Sequence, residues 1–107
     1  MNKKIDNKND VWIQKTLSFL RAIGSEGRLN IILILSDAWP EGLDVNTLTK
    51  KTWIRQSNMS RHLRELRAAD IVLSARRGGR HIYYSLNQEY FRMRLLDVID
   101  HLGAVSK

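Results

Sequence analysis

The stretch from Arg55 to Leu86 limits what this chain can fold into more than any other part of it. Its first half reads Arg-Gln-Ser-Asn-Met-Ser-Arg-His-Leu-Arg-Glu-Leu-Arg-Ala-Ala-Asp and sets Met59, Leu63 and Leu66 at i, i+4 and i+7, one stripe of a helix. The second half has two apolar-rich runs on either side of Gly78-Gly79, the pattern of a β-hairpin with a tight turn. Seven arginines (55, 61, 64, 67, 76, 77 and 80) run through both halves. A basic helix followed at once by a basic-tipped hairpin predicts a helix for the major groove of DNA with a wing beside it.

Charge placement carries the same message. Of the formal net charge of +7, residues 44–81 hold +6, from nine basic and three acidic side chains. Residues 1–43 hold +1 and residues 82–107 none. Excess charge focused in this way is the footprint of a polyanion-binding face, whereas evenly scattered charge would speak only of solubility.

A length of 107 residues fits one domain. No apolar run approaches the ~20 residues needed to span a bilayer, and no signal peptide is visible, so a cytoplasmic protein without membrane contact is expected. Cysteine is absent, which excludes disulfides and thiolate metal sites within this chain. No nucleotide-cradling glycine loop or Gly-x-Ser-x-Gly elbow is present, and no enzyme is expected.

Along the chain, residues 1–10 read as a flexible polar tail and 11–103 as a single domain. Between Val11 and Ile23, Trp12, Ile13, Thr16, Leu17, Phe19, Leu20 and Ile23 repeat at helical spacing over an arc too wide for one core. Ser25 is a plausible cap for a helix to about Asp37, although Leu29 to Leu35 alone would also suit a buried strand. Trp39-Pro40-Glu41-Gly42 forms a loop. Asp44 caps a short helix from Val45 to about Lys51, and Thr52-Trp53-Ile54 links it to the basic helix at 56–69, completing a helix-turn-helix. Hairpin strands follow at 71–77 and 80–86. Asn87 caps a last helix, Gln88 to Leu102, closed by Gly103. Its Phe91, Leu95, Leu96, Val98, Ile99 and Leu102 again form a face broader than one core requires. The predicted class is mainly α with a small β-hairpin, a winged helix-turn-helix in the order α-α-α-α-β-β-α. A second copy of the chain would cover both wide faces, with Trp12, Ile13, Leu17, Leu20, Phe91, Leu95, Val98, Ile99 and Leu102 at the interface.

These residues resemble the ArsR/SmtB type of bacterial winged-helix transcriptional repressors over about residues 17–102. Gly27-Arg28-Leu29 with Ile31-Ile32, Leu43 to Leu48, Gln56 to Leu66, and Arg77-Gly78-Gly79-Arg80-His81-Ile82-Tyr83-Tyr84 carry the resemblance. It implies a homodimer joined through the first and last helices, bound to an imperfect palindromic operator and released by an effector. Where such sensors keep two cysteines in the third helix, this chain has Asp44 and Asn46. The zinc set that others hold between paired last helices falls here on Gln88, Tyr90, His101 and Ala104. One ligand of four survives, too few for a tetrahedral site. Serine, common as the cap of the recognition helix in the family, is replaced by Arg55 or Gln56.

The residues expected to contact DNA are Gln56, Ser57, Asn58, Ser60, Arg61, His62 and Arg64 on the helix, against the alternative of a solvated basic surface. His62 lies about 60° from the centre of the apolar stripe at 100° per residue. It either packs at the core edge while donating to a phosphate, or only packs. Arg76, Arg77, Gly78, Gly79, Arg80 and His81 form the wing tip, suited to a minor groove, although edge strands also carry charge to block aggregation. Lys50 and Lys51 are expected on phosphates, or simply complement a helix C-terminus. Strand alternation turns Ile82, Tyr84 and Leu86 inward and Tyr83 outward. Trp12, Trp39 and Trp53 are expected as core or interface anchors. Asp97, Asp100 and His101 cluster on the last helix but lack a fuller ligand set, so no metal and no cofactor are expected. The identity of the effector is open. A winged-helix protein-interaction module and a binder of RNA or single strands stand as alternatives to a reader of operator DNA.

Overall fold

The computed structural model describes residues 7–103. Residues 1–6 of the expected tail, and Ala104, lie outside them. In chain order the elements are α1 (Asn7–Ile23), α2 (Glu26–Asp37), β1 (Leu43–Asp44), α3 (Val45–Thr52), α4 (Gln56–Ala68), β2 (Val72–Arg77), β3 (His81–Leu86) and α5 (Gln88–Gly103). Helix α1 thus begins four residues before the expected Val11. The expected order holds, with one addition. Leu43 and Asp44 form a short third strand against β3, and the antiparallel sheet runs β1-β3-β2.

Local chemistry accounts for most boundaries. The Ser25 hydroxyl accepts from the Arg28 N–H at 3.2 Å and starts α2. The apolar run that would also have suited a strand is therefore helical. The Asp44 carboxylate accepts from the Thr47 N–H at 2.9 Å and starts α3. That backbone bond, then a bond from the Thr47 side chain and the charge of nearby His81, holds the Asp44 carboxyl below its usual range. Helix α4 ends with Asp70 in the left-handed region, φ 63°, where the Ile71 N–H returns to the Leu66 carbonyl at 3.0 Å. Asn87, expected as a side-chain cap, accepts the Phe91 N–H on its backbone carbonyl at 2.9 Å, while its side-chain amide donates to the Asp70 carbonyl at 2.8 Å, stitching the end of α4 to the start of α5.

The core lies where α1, α2, α3 and α4 meet the inner end of the hairpin. Phe19, Ile31, Leu35, Leu48, Met59, Leu63, Leu66, Ile71 and Val72 are fully buried there. Each buried side chain of this size contributes ~1.5–3 kcal/mol, so the three-residue stripe of α4 anchors it firmly and fixes its rotation. Gly42 lets β1 reach β3: its φ is +82°, and a Cβ there would stand 2.3 Å from the Tyr84 carbonyl oxygen.

Helices α1 and α5 pack at one side. Phe91 meets Phe19 at 5.5 Å between ring centroids, and Phe91 and Leu95 rest against the core. These two side chains, expected at an interface, therefore serve the protomer's own packing first. Trp12 donates from Nε1 to the Asp97 carboxylate and stacks on His101 at 4.2 Å. Leu17, Leu20, Ile99 and Leu102 stay exposed, the last two at 60% and 65%, and Val11, Met93 and Leu96 join them. Among the described residues, no helix is long and apolar enough to cross a membrane.

Candidate nucleic-acid interface

The inward stripe of α4 dictates what its outer face shows. Gln56, Ser57, Asn58, Ser60, Arg61 and Arg64 are all exposed, with Arg55 before them and Arg67 after. Arg55 occupies the N-cap position and makes no side-chain capping bond. The first N–H groups of the helix are left free of a capping side chain, and the positive end of the helix dipole adds to the arginine charge.

His62 departs from this pattern. It is half-buried and turned toward α2, where a Cβ built on Gly27 would come within 2.9 Å of its Nε2. Its Nδ1 is buried without a partner among the described residues. Burial, then the charges of Arg28 and Arg61, push the imidazole below its ordinary pKa. The ring is wedged between α2 and α4, the core-edge packing that both readings of His62 share, and Gly27, on another helix, is what makes room for it.

The acidic residue of α4 is also withdrawn from the outer face. Glu65 pairs with Arg28 of α2 at 2.7 Å. Arg28 further donates from Nε to the Ala22 carbonyl at 2.5 Å and from Nη2 to the Arg21 carbonyl at 3.0 Å. One guanidinium thereby joins the end of α1, the start of α2 and the middle of α4. Sequence reasoning gave Arg28 no role; its donors converge on groups far apart in the chain. Among the described residues, no carboxylate lies within salt-bridge reach of Arg55, Arg61, Arg64, Arg67, Arg76, Arg77 or Arg80. The cationic surface is left unneutralised.

The wing carries the remainder. Strands β2 and β3 pair from Val72↔Leu86 to Arg77↔His81, so Gly78, Gly79 and Arg80 form the tip. Both glycines have positive φ, 59° and 79°, with open space around them. Arg76, Arg77, Arg80 and His81 are exposed, and the Arg77 guanidinium sits 4.7 Å from the centre of the Tyr83 ring. Leu86 is buried and Tyr84 packs on the core, as alternation requires. Ile82, expected inward, is exposed: it lines an open depression with Val45 and Asn46 of α3, not the closed core.

Lys50 and Lys51 are exposed at the end of α3. Beyond them Trp53 is 91% exposed, outside the core, one of its two expected places, and Trp39 is exposed as well. On α5, Asp97 is occupied by Trp12, by Arg94 at 3.6 Å and by His101 at 3.3 Å. Among the described residues, no three His, Asp or Glu side chains gather closely enough to hold a metal ion.

Comparison with known proteins agrees with this geometry. Residues 25–74, from the cap of α2 into β2, match the family described as bacterial regulatory protein, arsR family. The nodulation protein NolR of Rhizobium meliloti is 38% identical over 88 residues, covering 82% of this chain and 63% of that protein. The crystal structure of the transcriptional regulator HlyU from Vibrio vulnificus superimposes with a TM-score of 0.63 at 30% identity, covering 85% of this chain and 94% of that one. The homodimeric winged helix-turn-helix DNA-binding domain of Mb0332 from Mycobacterium bovis shares the fold, with a TM-score of 0.71 at 22% identity over 97% of this chain and 95% of that one.

Proposed function

Because the chain belongs to the ArsR family of bacterial regulatory proteins, we propose that it is a cytoplasmic homodimer that binds double-stranded DNA and represses transcription by occupying an imperfect palindromic operator. The observation that carries this reading is the arginine surface of α4 and the wing, with the acid of α4, Glu65, turned away into Arg28. An unneutralised cationic helix standing on a buried stripe is built to meet phosphates and base edges.

In the proposed complex α4 enters the major groove, where Arg61 and Arg64 can pair bidentately with guanine and Asn58 with adenine. Arg76, Arg77 and Arg80 reach the flanking minor groove, and Lys50 and Lys51 lie on the phosphate backbone. Exposed Leu17, Leu20, Ile99 and Leu102 support dimerisation through α1 and α5, the assembly named for the Mb0332 domain. Two-fold symmetry then sets the half-sites about one helical turn apart, ~10 base pairs centre to centre.

The test is fluorescence anisotropy on a duplex recovered by selecting bound genomic fragments, with random duplex, single-stranded DNA and RNA as competitors. Arg61→Ala or Arg64→Ala is expected to weaken binding to the selected duplex by ~1–3 kcal/mol and to relax base preference. Preferential competition by the single strand or by RNA would refute the proposal, and so would full retention of binding in the double variant.

A further inference from the structure

Helix α3 ends in a turn held from both sides. The hydroxyl of buried Thr52 donates to the Leu48 carbonyl at 2.7 Å and accepts from the Ile54 N–H at 3.3 Å. The Trp53 N–H closes the helix on the Thr49 carbonyl at 2.9 Å. Between these anchors Trp53 itself adopts φ 64°, ψ 15°, the left-handed conformation that suits glycine and penalises a bulky side chain. Its indole is 91% exposed. Folding gains nothing from this residue: the backbone is strained and the largest apolar side chain in the repertoire is left in water. A glycine would serve the turn better.

We propose that Trp53 is a DNA-contacting residue, its indole packing on a deoxyribose of the duplex backbone while Nε1–H donates to a neighbouring phosphate. The inference rests on the DNA-binding reading above. Trp53 is flanked by exposed Lys50, Lys51, Arg55 and Gln56, so the surroundings of the ring are cationic and suit a polyanion. It also stands three residues before Gln56, the first residue of α4. With the first residues of a recognition helix on base edges, the turn before it stands at the lip of the major groove, where sugars and phosphates pass. An indole combines a flat apolar face with one polar donor, which matches that edge. Phosphate-side contacts carry no base preference, so the contribution is the same for every duplex sequence.

Anisotropy titration of sheared duplex DNA of mixed sequence, at several salt concentrations, tests this. Trp53→Ala and Trp53→Gly are expected to bind about tenfold more weakly than the wild-type protein, a loss of ~1.4 kcal/mol. Their salt dependence should keep its slope, since no charge is removed, whereas Lys50→Ala, which removes one phosphate contact from each protomer of the dimer, should lower the slope by about two. Trp53→Phe, which keeps a ring, should recover most of the affinity. Thermal melting of Trp53→Gly should be no lower than that of the wild type. Wild-type affinity in Trp53→Ala, beside a wild-type protein that binds duplex DNA, would overturn this inference alone. A change of oligomeric state in Trp53→Ala would overturn it in favour of a second copy as the occupant, and a clear fall in melting temperature in favour of a folding role. Failure of the wild-type protein itself to bind duplex DNA would remove the DNA reading along with it.

Discussion

Replacing Arg28 with alanine is expected to loosen the joint between α1, α2 and α4 by ~2–4 kcal/mol, and the structure says where that loss comes from. The side chain of Arg28 is 16% exposed and that of Glu65 is 47% exposed. An ion pair with one partner so well solvated contributes no more than ~1 kcal/mol. The two bonds to the Ala22 and Arg21 carbonyls satisfy the open end of α1 and involve a charged donor, which makes each worth ~1–1.5 kcal/mol after discount for partial solvent access. The carbonyls therefore outweigh the carboxylate. Urea unfolding of Arg28→Ala, Glu65→Ala and the double variant separates the two. Arg28→Ala should lose at least twice as much stability as Glu65→Ala, with a coupling energy between the two of ~0.5–1 kcal/mol. If Glu65→Ala costs as much as Arg28→Ala, or if Arg28→Ala costs less than ~1 kcal/mol, the guanidinium is not the tie described.

Other consequences are checked more simply. Ile99→Glu places a charge in the exposed face of α5 without touching the core; sedimentation should show monomers in place of dimers, and circular dichroism should show unchanged helix content. His62 is depressed by burial, so the folded protein binds fewer protons than the unfolded chain until pH falls past the folded-state value. The stability that neutral His62 contributes is thus present above the ordinary histidine value of ~6.5 and declines as pH falls through the window below it. Thermal melts of the wild type and His62→Gln at pH 7.5 and 5.5 should show a larger acid-induced drop in the wild type; equal drops would refute the burial account.

How much of this was legible in the sequence depended on how local the cause was. The register of α4 could be read because Met59, Leu63 and Leu66 declare it within eight residues. The caps at Ser25 and Asp44 were equally visible, each bonding an N–H three residues on. Strand β1 escaped notice because two residues carry no periodicity and their partners, Tyr83 and Tyr84, lie some forty positions away. The direction of His62 depended on a glycine in another helix, and Arg28 on carbonyls that no side-chain pattern announces. Trp53 shows the opposite case: its type argues for the interior or an interface, and the left-handed turn that keeps it out of this chain's core has no mark in the sequence. Phe91 and Leu95 could not be told from Ile99 and Leu102 by composition, since all four lie on one apolar-rich helix and the tertiary contact with Phe19 divides them.

The cationic surface of α4, the wing and the end of α3 is proposed to meet the phosphates of DNA as well as its base edges, and the dependence of duplex affinity on salt measures the phosphate part directly. A dimer making six or more phosphate contacts should show log K falling against log salt with a slope of about −5 or steeper. Removing one phosphate-contacting arginine from each protomer should flatten that slope by about two. A slope near zero with the wild-type protein, or one that Lys50→Ala, Arg76→Ala and Arg80→Ala all leave unchanged, would contradict the account.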